Sequence, residues 1–248
     1  MHGKPSLPRE PLEVPHRGIS LTHPSNPVIF LDMLCPKRVV VANAATSGDH
    51  EEPADRFLFE IFADLAPTLA ANIYSLCVGS STRLIDQRPQ PAGYKGTVIH
   101  DALVGQYLIG GDVMGSNGSG FFSALGERQG PLIVPPDELK ALTEIGLSRC
   151  QHSPGIYMHY WNYTPGSVTV TPGTLKVAST LRIDVVERGV DDNKMPSDAI
   201  LIGRLVCRDA ESREAAKRQL MELTKAVFHA KRSGMPQLLP TILLCGEM

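Results

Sequence analysis

Only two long stretches of this chain have helical rather than strand-like hydrophobic periodicity, and that restricts its fold more than any single motif. Short apolar, β-branched runs recur from end to end: "NPVIFLDML" (26–34), "RVVVANA" from Arg38, "RFLFEIFA" (56–63), "TVIHDALV" and "QYLIGGD" joined by Gly105, then "GIYMHYW", "STLRIDVVE", "AILIGRLV" and "TILLC". Each has the length and composition of a strand. Helical spacing appears first in "DLAPTLAANIYSLCVG", where Leu69, Ile73, Leu76 and Cys77 share a face. Pro67 sits in its first turn, where a missing N–H is harmless, and Gly79 suits its C-cap. It appears again in "DAESREAAKRQLMELTKAVFHAKRSG" (209–234), with Asp209 as N-cap and Gly234 as terminator. "PPDELKALTEIGL" reads as a short helical excursion, residues 79–95 as a turn-rich connection and "GSNGSGFFSALGERQGP" as a Gly/Ser loop. About eight strands with only two long helical connections predict a mainly β barrel rather than βαβ alternation.

The chain has 248 residues, 42% of them hydrophobic, enough for one substantial core. Residues 1–25 are Pro-rich and polar, with too little apolar surface to fold alone. They are expected to form an extended arm or a tail, and their removal to leave the melting temperature nearly unchanged. The folded domain is expected over 26–248. Twenty-four Lys and Arg oppose 26 Asp and Glu for a net charge of −2, so nothing draws the chain to nucleic acid or an acidic membrane surface. The five cysteines show no C-x-x-C and no short Cys/His spacing, which predicts reduced thiols and neither a metal site nor a bound cofactor. No run is apolar enough for a membrane helix. The start lacks the apolar core of a secretory signal, so the expected setting is the cytoplasm; a cytoskeletal or ciliary location, or an organelle, is left open.

Two long segments carry a resemblance. "FEIFADLAPTLAANIYSLCVG" is similar to the cyclophilin pattern F-E-L-F-x-D-x-x-P-K-T-A-x-N-F-x-x-L-C-x-G. "YKGTVIHDALVGQYLIGGD" resembles Y-K-G-S-x-F-H-R-x-I-P-x-F-M-x-Q-G-G-D without a gap, through Tyr94, Lys95, Gly96, His100, Gly110, Gly111 and Asp112. "GSNGSG", "SPGIYM", "LIGRLV" and "TILLCGEM" resemble shorter cyclophilin motifs in the same order. The resemblance implies a closed eight-stranded antiparallel barrel capped by two α-helices. It also implies peptidyl-prolyl cis/trans isomerisation, which lowers a barrier of about 18–20 kcal/mol set by the partial double bond of the X–Pro amide. In that family an arginine donates hydrogen bonds toward the prolyl amide and weakens its resonance. Aromatic and methionine side chains hold the ring.

Carried over by position, those roles fail. The arginine position holds Asp101; the pocket phenylalanine and methionine positions hold Gln106 and Tyr107; the glutamine position holds Ile109. "ASTLRI" puts Arg182 where a phenylalanine would stand, and "MHYWN" brings His159 and Trp161 into the substrate-backbone strand. An ionised carboxylate accepts hydrogen bonds and cannot donate the one required. Losing one transition-state donor costs about 2.7–4 kcal/mol, or 10² to 10³ in rate. The groove of Asp101, Gln106, Tyr107, Ile109, His159, Trp161 and Arg182 is therefore expected to be degenerate, with no catalytic residue. The expected function is a catalytically inactive scaffold subunit of a larger protein assembly. Its contacts would fall on the arm, the loops at 35–55 and 79–94, and the outer face of the 209–231 helix. The alternative is a weak isomerase or proline-peptide binder.

Overall fold

The computed structural model describes residues 18–36, 54–85, 88–161, 174–187 and 194–248. The strand expected from Arg38, most of the 35–55 loop, residues 1–17 of the arm and part of "ERGVDDNKMPSD" lie outside them. The strands are β1 (Val28–Leu34), β2 (Asp55–Ile61), β3 (Ser81–Ile85), β4 (Arg88–Ala92), β5 (Ile99–Leu103), β6 (Tyr107–Gly110), β7 (Leu132–Ile133), β8 (Gly155–Tyr160), β9 (Lys176–Asp184), β10 (Ala199–Leu205) and β11 (Thr241–Glu247). The α-helices are α1 (Pro67–Val78), α2 (Pro136–Ala141), α3 (Leu147–Arg149) and α4 (Ala210–Ser233). A π-turn at Leu142–Gly146 joins α2 to α3, so the "PPDELKALTEIGL" excursion is one irregular helical segment.

Eight strands form one curled antiparallel sheet in the order β11-β1-β2-β10-β8-β9-β6-β5, with β7 added on β9. Alternation does the sorting. In β1, β2, β8, β9 and β10 the inward set (Ile29, Leu31, Phe57, Phe59, Ile61, Ile156, Met158, Ile183, Ile200) is buried. Each large side chain withdrawn from water contributes about 1.5–3 kcal/mol, so slipping the register of any of these strands by one residue would forfeit the core.

The expected closed barrel is not reached. The terminal strands of the path, β11 and β5, meet only at an isolated bridge, Val98–Thr241. Backbone bonds Gly96 N to Ile242 O (2.7 Å), Ile242 N to Thr97 O (2.9 Å) and Ile99 N to Pro240 O (2.8 Å) join them locally. Gly96, at φ +83°, turns the chain just before β5 begins, a conformation open mainly to glycine. Beyond it β5 runs under α4 rather than along β11, and Gly105 N donates to Thr224 Oγ1 at 3.1 Å. The result is a half-barrel.

The long helix follows its sequence signals. Asp209 caps it by accepting from Ser212 N, and Gly234 ends it in the left-handed conformation. Its buried stripe is Ala216, Leu220, Leu223, Val227 and Ala230, at helical spacing. Gly79 ends α1 in the same way. The 79–95 connection is a correction: it forms the β3–β4 hairpin, a separate two-stranded sheet. All five cysteines are reduced, with Cys77 and Cys150 buried.

Of the arm, the described part lies on the sheet. Glu60, fully buried on β2, accepts from Thr22 N (2.7 Å), Thr22 Oγ1 (2.6 Å) and Asn26 Nδ2 (2.9 Å). Arg204 completes the clasp, with Nε on Glu60 Oε2 at 2.8 Å and Nη2 on the Ser20 carbonyl at 2.8 Å.

Candidate functional site

Cross-strand register assembles the site. Asp101 pairs with Ile109, Ile109 with Arg182 and Arg182 with Tyr157. Residues opposite one another on neighbouring strands share a face. The adjacent row, Leu108–Ile183–Ile156, is 1%, 2% and 0% exposed and faces the core. Asp101, Ile109 and Arg182 therefore lie on the outer face, and Tyr107, paired with Asp184, flanks them.

Arg182 dominates this face. Its Nε donates to Asp184 Oδ1 at 3.0 Å and its Nη1 to Asp198 Oδ1 at 3.1 Å, with 15% of the side chain exposed. The guanidinium lies 4.1 Å from the Tyr107 ring centre and 5.5 Å from that of Tyr157, within cation–π range of both. Asp198 also faces His159, Nε2 to Oδ2 at 3.4 Å, while His159 Nδ1 lies 3.1 Å from the Tyr160 carbonyl. The His159 contact pulls the Asp198 carboxyl below its ordinary pKa; burial opposes, and Arg182 adds to the pull. Asp198 is thus an anion shared by Arg182 and His159.

Asp101 is engaged elsewhere. Its Oδ1 accepts from Ala102 N at 2.9 Å and from Lys231 Nζ, on the last turn of α4, at 2.5 Å. Gln106 is exposed in the β5–β6 turn, its N bonded to the Leu103 carbonyl at 2.9 Å. Trp161 stands at the end of β8, its N bonded to the Lys176 carbonyl at 2.8 Å, its indole nitrogen buried without a partner among the described residues. The geometry thus gathers Tyr107, Ile109, His159 and Arg182 on one face, turns Asp101 toward α4 and places Gln106 and Trp161 at the ends.

Neither Asp184 nor Asp198 was singled out by sequence, and nothing there tied Lys231 to Asp101. "RID" puts Arg182 and Asp184 two apart on a strand, hence on one face, a legible signal. Asp198 and Lys231 arrive from distant elements and left none.

The edge of the site is fixed by Asp112, fully buried, which accepts from the backbone N–H groups of Met114 (2.9 Å), Gly115 (3.3 Å), Asn117 (3.3 Å), Gly118 (2.9 Å) and Gly120 (3.1 Å). Burial raises its pKa, but these donors outweigh it and leave the carboxyl below its ordinary value. His100, partly buried above this loop, is held below its ordinary pKa chiefly by desolvation, against the pull of Asp112 and Asp101. Among the described residues no cluster of three His, Cys, Asp or Glu could hold a metal. No helix among them is long and apolar enough to cross a membrane.

No family model matches the chain. Among curated proteins it is similar to peptidyl-prolyl cis-trans isomerase 11 of Caenorhabditis elegans, 30% identical over 108 residues (44% of this chain, 49% of that protein). Peptidyl-prolyl cis-trans isomerase CYP22 of Arabidopsis thaliana is 30% identical over 106 residues (43% and 44%). Peptidyl-prolyl cis-trans isomerase D of Kluyveromyces lactis is 34% identical over 77 residues (31% and 21%). These matches span less than half the length of each relative. Among solved structures the Mimivirus cyclophilin superposes with a TM-score of 0.51 at 16% identity, covering 90% of this chain and 89% of that one.

Proposed function

We propose that this chain, which belongs to the cyclophilin type by its sequence relatives and its fold, serves as a catalytically inactive subunit of a larger protein assembly. One observation carries the reading. The position that resembles the family's donor arginine holds Asp101, and the arginine on the same face, Arg182, is bound to Asp184 and Asp198. Isomerisation needs N–H donors aimed at the prolyl amide as its nitrogen pyramidalises. A carboxylate offers none, and a guanidinium already donating to two carboxylates would have to give up those bonds first.

The same charges oppose ring binding. A proline ring gains affinity by leaving water for an apolar shelf, whereas here it would have to displace a desolvated ion-pair network. What the domain keeps is a rigid sheet with exposed apolar side chains at one end: Leu103, Val104 and Val186 are 45%, 42% and 50% exposed, beside α4. Partner proteins docking there, on the arm and on α4 would form an interface of ordinary size, about 1,200–2,000 Å². The runner-up is a weak isomerase, favoured by the names of the relatives and by the presence of one guanidinium on the groove face.

Calorimetric titration with cyclosporin, a ligand the resemblance places in this groove, tests the reading. No saturable heat is expected at micromolar concentration. Saturable binding in that range would show an open apolar groove and favour the runner-up.

A further inference from the structure

Asn117 is the one asparagine in the chain followed directly by glycine, and both residues are exposed in the loop after β6. With no side chain on Gly118, its backbone nitrogen can approach the Asn117 amide carbon closely enough to close a five-membered ring. Two neighbours are placed to assist. Asn117 Oδ1 accepts from Ser119 N at 3.0 Å and from Ser119 Oγ at 2.6 Å. This is the oxygen that gains negative charge when Cγ is attacked, and donors aimed at a developing oxyanion lower its barrier. On the nucleophile's side, Gly118 N–H donates to Asp112 Oδ2 at 2.9 Å, so a carboxylate already lies on the path of the departing proton.

We propose that Asn117–Gly118 is a self-modification site, at which the folded chain forms a succinimide that opens to isoaspartate and aspartate. Gly118 N bonds to Asn117 Cγ and its proton passes to Asp112. The Cγ–Nδ2 bond then breaks, and ammonia leaves with that proton. Water adds to either imide carbonyl, giving aspartate or the β-linked isomer, with no oxidant or cofactor. Isoaspartate lengthens the main chain by one methylene next to Gly118. That displaces an N–H which holds Asp112, beside the His100 ring, whose Nε2 lies 2.7 Å from where a Gly118 Cβ would stand. The modification therefore acts on the edge of the groove face.

The test is prolonged incubation of the full-length native chain at neutral pH and body temperature. Peptide mapping by mass spectrometry and enzymatic isoaspartate detection follow. Acid conversion at Asn117, rich in isoaspartate and ahead of every other asparagine, is expected, and Ser119→Ala should slow it several-fold. Three results would each overturn the proposal: an intact Asn117 in the native chain while the denatured chain converts, aspartate formed without isoaspartate, or an unchanged rate in Ser119→Ala.

Discussion

Replacing Arg204 by methionine should destabilise the fold by about 3–5 kcal/mol, the range for stranding one partner of a buried ion pair. At about 2–4 °C per kcal/mol for a chain of this size, Tm should fall by roughly 6–20 °C. Glu60 is fully buried, and once Arg204 is gone its charge rests on the neutral donors Thr22 and Asn26. The same pair predicts an acid limb. Burial pushes the Glu60 carboxyl up, but the bonds from Asn26, Thr22 and Arg204 outweigh it and hold it below its ordinary value. A depressed folded-state pKa contributes stability that is fully present above the unfolded value, about 4.3, and is lost as pH falls through the folded one. Thermal melts across pH 3–7 should show that loss in the native chain, roughly in the acid part of that window, and its reduction in Arg204→Met. Because Ser20 and Thr22 belong to this clasp, truncation through residue 25 should lower Tm too, contrary to the expectation from composition alone. The reason is local: a polar segment contributes little by hydrophobic burial, yet here it satisfies a buried carboxylate.

Arg182→Leu should cost about 3 kcal/mol, near the lower end of the same range. It removes the cation shared by Asp184, whose side chain is 9% exposed, and Asp198, at 22%. The loss sits at the lower end because Asp198 keeps His159. Part of the cost is the contact with the Tyr107 ring, worth about 0.5–2 kcal/mol. A double-mutant cycle with Asp198→Asn, read by denaturant unfolding, separates the ion pair from packing. A coupling of about 1–3 kcal/mol is expected. Additive effects would mean that the pairing is incidental and the groove face unconstrained.

Much of this is legible in the sequence. Pro67, Gly79, Asp209 and Gly234 mark helix ends by backbone rules that tertiary context did not override. The strands of the half-barrel announced themselves because one face is buried and alternation follows. The β3–β4 hairpin did not. Pro89 and Pro91 interrupt β4, and Arg88, Pro89, Gln90 and Pro91 are all exposed, so no buried face imprints a period. Closure was expected from the resemblance and is absent because the chain stays on β11 only as far as Ile99, after which β5 packs against α4. The identities within the groove could be read by position, but their engagement could not. Lys231 reaches Asp101 from 130 residues away, and Asp198 joins Arg182 from a loop with no pattern of its own.

The most direct test is the cis–trans exchange rate of an X–Pro peptide, measured by NMR exchange spectroscopy with the full-length chain present. Uncatalysed exchange takes tens to hundreds of seconds at 25 °C, so even modest catalysis is readily seen. With Asp101 in the donor position and Arg182 committed to two carboxylates, the rate should equal that of the peptide alone, even at stoichiometric protein. An acceleration proportional to protein concentration, and abolished by Arg182→Lys, would contradict this. It would show that Arg182 leaves Asp184 and Asp198 to serve as the missing donor.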